Sequence, residues 1–241
     1  MLHRHDLLIF RRAKATYIDN IRKIRTQKAI ATAHDEVMDV FRLNRSDNMG
    51  KRDGAPALMM RLGKDQEAYD FMKWHATTGN DMHYDWGDMD LPFLDLHGED
   101  VFEPVAPLLH DPNGLELSHL VAMTLLKLRL LLDLYSLKNS TQVAKHLPQE
   151  LLDHVRKTLV GNTVASNHKI LQEVRDGVDI SPRIRNVEAQ VSLLFEEVSN
   201  KNAHFWPAVV DPGRNLSARP EYFSQGDQAE MQIMLQHNYE A

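Results

Sequence analysis

The chain has 241 residues, 43% of them hydrophobic, and a formal charge of −6, enough apolar material for one large core or two small ones. It contains no cysteine. That excludes a disulfide framework, thiolate zinc sites, Cys-ligated iron–sulfur clusters and a cysteine nucleophile, and makes a reducing compartment, cytoplasmic or nuclear, the expected location.

The apolar run Leu7 to Phe10 is closed by Arg11 and Arg12 and is too short for a signal-peptide core. Without a secretory route, the sequons at Asn44, Asn139 and Asn215 are chance matches. From Asp6 to Leu43 apolar residues recur at helical spacing with no proline, which predicts at least one helix and more readily two. Turn residues Asn44 to Asn48 follow, then a helical pattern through Ala57, Leu58 and Leu62, a break at Gly63, and a further helix from Asp65 carrying Ala68, Tyr69, Phe71, Met72 and Trp74.

Residues 77–116 lose the helical rhythm, with Gly79, Gly87, Pro92, Gly98, Pro104, Pro107, Pro112 and Gly114 in one stretch. The run from Leu117 to Leu137 approaches the length of a membrane span, but Lys127, Arg129 and Asp133 lie near its middle. Each would cost about 2.5–3.5 kcal/mol at a bilayer centre, so a central core helix with Ser118 as its N-cap is expected, and no membrane association. Pro148 suits the first turn of a helix ending near Gly161, and Asn162 caps a shorter one. Ser181-Pro182 opens an amphipathic helix running to about His204, a loop spans Pro207 to Pro220, and a last helix carries Met231, Met234, Leu235 and Tyr239. That helix reaches Ala241 without a capping residue, so a longer chain is expected.

The stretch Leu62-Gly63-Lys64-Asp65-Gln66-Glu67-Ala68-Tyr69-Asp70-Phe71-Met72-Lys73-Trp74-His75-Ala76 resembles the turn and second helix of a tetratricopeptide (TPR) repeat. In such a repeat the glycine lets two helices pack closely, the alanine sits where they cross and the aromatic fills the groove. A repeat period of about 34 residues places the equivalent of Gly63 at Ala29, inside the earlier helix. Pro56, early in the preceding helix, departs from the pattern and is tolerated only in the first turn.

The resemblance implies an all-α chain of antiparallel helical hairpins, a TPR-like superhelix. Its expected parts are hairpins over about 26–76, an acidic irregular insertion over 77–116 and a helical part over 117–241, within a single helical domain of residues 1–241. The segments Arg45 to Trp74, Tyr84 to Pro92 and His204 to Pro207 also look like a group of uncharacterised fungal helical proteins, some of which carry a MYND-type zinc finger. That finger needs cysteines and is absent here.

The charge is unevenly placed. Met1 to Lys28 holds eight Lys or Arg against two aspartates, whereas from Trp74 to Leu126 there is no Lys or Arg and ten acidic residues, from Asp81 to Glu116. Three readings of the acidic stretch stand side by side: a solvated insertion, a segment docked on a basic partner or on the chain's own N-terminal helix, and a calcium or magnesium site around Asp85, Asp88 and Asp90. The spacing of those aspartates does not match an EF-hand loop. Nucleic-acid binding is not expected of a chain acidic outside its first helix.

The thirteen histidines include no pair at i,i+3 or i,i+4, the spacings that put two imidazoles on one helical face, so no metal site or other cofactor is expected. No G-x-S-x-G elbow, P-loop or G-x-G-x-x-G occurs, and no catalytic residue is assigned. The leading expectation is a protein-interaction or scaffold module that takes a protein or peptide partner, with Tyr69, Trp74, Asp85, Trp86, Asp88 and Asp90 as partner-binding residues. The alternative is a small enzyme or accessory protein of a fungal metabolic pathway whose site forms between helices. A self-associating structural protein is a third reading, and the oligomeric state is left open.

Overall fold

A computed structural model describes residues 4–109, 115–143 and 149–239. Pro148, His146, the acidic Asp111 and the end of the chain at Ala241 lie outside them. The fold is all-α, and no strand occurs among the described residues. The helices are α1 (Arg4–Ile21), α2 (Gln27–Leu43), α3 (Ala55–Arg61), α4 (Asp65–Ala76), α5 (Ala106–Leu109), α6 (Leu117–Val143), α7 (Gln149–Leu159), α8 (Asn162–Ala165), α9 (His168–Arg175), α10 (Ser181–Lys201), α11 (Phe205–Val210) and α12 (Gln228–Asn238).

The expected N-terminal run is two helices because Thr26 interrupts it. The Thr26 hydroxyl accepts the Ala29 amide at 3.3 Å and so caps α2, satisfying one of the N–H groups that a helix start leaves free. Ile30, Ala33, Val37, Val40 and Phe41 then line one buried face of α2. Pro56 falls in the first turn of α3, where a missing N–H removes no helical bond.

The α3–α4 junction is closed by Gly63 at φ +72°. The Gly63 amide donates to the Met60 carbonyl at 3.0 Å and the Lys64 amide to the Met59 carbonyl at 2.9 Å, the paired bonds of a Schellman stop. Asp65 and Glu67 occupy the first turn of α4 and Lys73 its last, which complements the helix dipole at both ends.

At the centre lies α6, 27 residues long and apolar on nearly every side, with Leu120, Val121, Met123, Leu126, Leu130, Leu134 and Leu137 all buried. A helix with that pattern has to be wrapped. Along it runs α10, with Ile184, Val187, Leu194 and Val198 turned inward. Side chains from Ile18 in α1 to Leu235 in α12 join one hydrophobic cluster, each fully buried Leu, Ile or Met contributing about 1.5–3 kcal/mol. Among the described residues no helix is long and apolar enough to cross a membrane.

Several local expectations are corrected. Ser118 lies inside α6, not at its cap, and its hydroxyl donates to Asp53 Oδ1 at 2.9 Å. The helix expected to reach His204 ends at Lys201, because Asn202 is extended and its side chain turns to the Asp227 carbonyl and to Glu230. The expected loop from Pro207 contains most of α11 and a 3-10 turn at Gly213–Ser217. Pro207 is the third residue of α11 and sits in its first turn, where it is tolerated. The Asn167 side chain accepts the Ile170 amide at 3.1 Å and starts α9, a helix the sequence reading had not separated.

Candidate functional site: the acidic segment on α4

The irregular residues between α4 and α5 are laid along α4 and fixed there. Arg45, just past α2, donates from Nη1 to the carbonyl oxygens of Asp88 (3.0 Å) and Leu91 (2.9 Å) and from Nη2 to that of Met89 (2.8 Å). Its guanidinium also lies 5.0 Å from the Phe93 ring centroid. One fork thus gathers three carbonyls, a geometry an ammonium cannot reproduce.

Further along, Asp70 accepts the amides of Gly98 (2.8 Å) and Glu99 (3.0 Å), while Gln66 donates to the Glu99 carbonyl at 2.9 Å. Lys73 bridges Glu99 at 2.7 Å and Glu103 at 2.6 Å. Lys127 of α6, fully buried, donates to the carbonyls of Val101 (2.5 Å) and Glu103 (3.1 Å). The acidic stretch thus packs on α4, Arg45 and α6, a seat within the chain that is neither the basic partner nor the N-terminal helix of the docking expectation.

The six residues expected to bind a partner divide into two groups. Tyr69 and Trp74 are at 0% exposure: they form a floor, and the chain's own segment covers it. The Tyr69 hydroxyl donates to Glu103, and Trp74 Nε1 donates to Asp95 at 2.9 Å. Around the Trp74 ring stand Phe93, Tyr84 and Trp86, at centroid distances of 5.1, 5.5 and 6.0 Å and near-perpendicular planes, the edge-to-face arrangement aromatic quadrupoles favour. Trp86 thus belongs with the floor as a clasp. Asp85, Asp88 and Asp90 remain exposed.

Those aspartates also shape the backbone. Asp85 accepts the Gly87 amide and Asp88 the Asp90 amide, each at 2.9 Å, and Asp81 and Asp100 accept the amides two residues on in the same manner. An Asp whose carboxylate holds the N–H two residues ahead makes an Asx turn, so the acidic run is in part a string of such turns. Among the described residues no three His, Asp or Glu side chains are grouped to hold a metal ion.

Electrostatics tie the segment to its floor. Burial pushes the Lys127 ammonium down to about 8 although Glu103 and Asp100 pull the other way. Burial and the Glu103 hydrogen bond hold the Tyr69 hydroxyl well above its ordinary value. Burial would raise Glu103, but hydrogen bonds from Lys73 and Tyr69 and the charges of Lys73 and Lys127 bring it below the usual carboxylate range. Arg45, Gln66, Asp70, Lys73 and Lys127 are the residues sequence reasoning missed as holders of the segment: the first four figure there only as members of the resembling stretches, and Lys127 only as a charge too costly for a bilayer.

No protein-family model matches the chain, and no curated protein or solved structure matches it.

Proposed function

We propose that the protein is an interaction scaffold in which TPR-like helical hairpins hold an extended acidic segment and offer it to a basic stretch of a protein partner. The observation that carries this reading is the way the segment is held. Arg45, Gln66, Asp70 and Lys127 engage its backbone groups, as helical grooves engage extended peptides, while Asp85 and Asp88, each lending one carboxylate oxygen to a local turn, stay exposed together with Asp90.

The TPR-like reading has further support at the α3–α4 junction, where Gly63 makes the turn, Ala68 is fully buried and the Phe71 ring lies 5.5 Å from that of Phe41. At seven residues α3 is short for such a repeat, so the hairpin is a reduced form.

The test is affinity purification of the tagged protein from its native cells beside the triple variant Asp85→Asn, Asp88→Asn, Asp90→Asn. A stoichiometric protein retained by the wild type, released as salt rises through the range where exposed charges are screened and lost from the variant supports the proposal. Recovery of the same proteins with the variant, or of the chain alone, sinks it.

A further inference from the structure

The helices α6 and α10 lie side by side and antiparallel. Their register is fixed by the Tyr135 hydroxyl donating to Glu188, Lys138 Nζ to Ser181 Oγ at 2.9 Å and Lys201 Nζ to the Leu115 carbonyl at 2.7 Å. Their inner faces belong to the core, but their outer faces are not what water selects. On α6, Leu128, Leu132 and Tyr135 are exposed at i, i+4 and i+7, and Leu132 keeps 58% of its surface, so one line of a helix that should be wrapped is left bare. One turn from the Tyr135–Glu188 pair, the register sets Leu132 beside Val191 of α10, and the next turn sets Leu128 beside Phe195. Phe195 is 48% exposed and stacks on Trp206 at 4.7 Å between ring centroids. Apolar residues exposed singly need no explanation, whereas a continuous row across two adjacent helices marks an interaction surface.

The outward line of α10 identifies the occupant. Arg185, Ala189, Ser192 and Glu196 are all exposed and recur at i, i+4, i+7 and i+11, so they share one side of the helix. Arg185 and Glu196 make no hydrogen bond or ion pair among the described residues. The line is complementary to its own reverse. A two-fold axis at the level midway between Ala189 and Ser192 brings Arg185 of each copy to Glu196 of the other and Ala189 to Ser192. By the α6–α10 register that level is Leu132, so the same axis lays Leu132 on its own image, with Leu128 and Tyr135 around it. An isologous contact demands this self-complementarity, whereas a uniformly basic or acidic partner would fit one end of the line and be repelled at the other. Glu188, also near the axis, accepts the Tyr135 hydroxyl. Two such helices side by side present a face of about 30 Å by 20 Å, comparable with the roughly 800 Å² per partner that a specific interface buries.

We propose that the outer face of α6 and α10 is a homodimer interface, covered by a second copy of this chain in antiparallel two-fold packing. Leu132 lies at its centre, and Arg185 and Glu196 of opposite copies pair at its ends. The small side chains of Ala189 and Ser192 let the two α10 helices approach closely. None of these residues holds the acidic segment, so the interface does not depend on the scaffold reading.

The experiment is sedimentation equilibrium of the full chain over about a hundredfold range of concentration, with mass action as the readout. The wild type is expected to pass from monomer to dimer, and Leu132→Glu, which sets two carboxylates against each other at the axis, to remain monomeric. Arg185→Glu and Glu196→Arg each place like charges at both ends and are expected to weaken the dimer about tenfold or more. The double variant Arg185→Glu, Glu196→Arg restores both pairs and is expected to recover the wild-type dissociation constant. Both positions are exposed, and matching thermal melts of the variants at monomeric concentration confirm that they fold. A wild type that stays monomeric, an assembly larger than a dimer, single variants that dimerise like the wild type, or a double variant no tighter than the singles overturns the proposal.

Discussion

The ammonium of Lys127 lies 2.5 Å from the carbonyl oxygen of Val101 and 5.3 Å from the Tyr69 ring centroid, which fastens the acidic segment to the middle of the central helix with a buried charge. That charge has a measurable consequence. The folded chain holds Lys127 at about 8, below the ordinary lysine value of about 10.4 that applies in the unfolded chain. Between those values the unfolded state binds more protons, so stability rises with pH. Urea denaturation is expected to show a gain of about 2 kcal/mol from pH 8 to pH 10, absent in Lys127→Met. Above about pH 10 the trend reverses, because Tyr69 stays protonated in the folded state while unfolded tyrosine ionises. A flat profile for the wild type would refute the buried-charge account.

Trp74 combines a packing role with one polar bond, and two substitutions separate them. Trp74→Phe keeps most of the ring contacts but loses the hydrogen bond to Asp95, so a cost of about 1 kcal/mol is expected. Trp74→Ala leaves a cavity under Tyr84, Trp86 and Phe93 and is expected to cost about 3–5 kcal/mol. Equal losses in denaturant titrations would mean that the indole N–H, and not the ring, holds the segment.

The helices that the sequence made legible are those with a physical signal in their own residues. Gly63 with Ala68 and Phe71 marked the α3–α4 turn, Ser181-Pro182 marked the start of α10, and the unbroken apolar run marked α6. Short helices such as α9 and α11 buried too few periodic residues to stand out, and Pro207 concealed α11 by resembling a loop residue. The route of the acidic segment was not legible, because Arg45, Asp70 and Lys127 hold it through carbonyl and amide groups that every residue carries. Such contacts leave no pattern along the chain. Tyr69 and Trp74 read as partner-binding residues in the sequence, since aromatic character in a helix says nothing of what covers it.

Two glycines test different constraints. At Gly63 an added Cβ meets only Asn162 Nδ2, at 3.8 Å, but φ is +72°, so Gly63→Ala is expected to cost about 1–2 kcal/mol through left-handed backbone strain. At Gly79 no such φ is involved, and the Cβ would stand 2.7 Å from Cζ3 of Trp74 and 3.1 Å from its Cε3. The packed indole cannot give way, so Gly79→Ala is expected to cost about 1–3 kcal/mol through overpacking. Pairing each with Trp74→Phe in a double-mutant cycle distinguishes them: Gly79→Ala should couple to Trp74 and Gly63→Ala should add independently.

Arg45 is the clearest test of whether the segment is held as a unit or residue by residue. Its guanidinium joins the carbonyls of Asp88, Met89 and Leu91 and covers Phe93, yet Arg45 itself is only partly buried and lies outside the hydrophobic cluster. Arg45→Lys keeps the charge and removes the planar fork, so at most one carbonyl keeps a partner of similar geometry. Global stability is then expected to fall by no more than about 1 kcal/mol. Amide exchange over residues 84–93 should accelerate about tenfold or more, while exchange at Gly98 and Glu99, held by Asp70, stays near the wild-type rate. If Gly98 and Glu99 accelerate equally, the segment opens cooperatively from one end to the other. In that case Arg45, Asp70 and Lys127 act as a single latch.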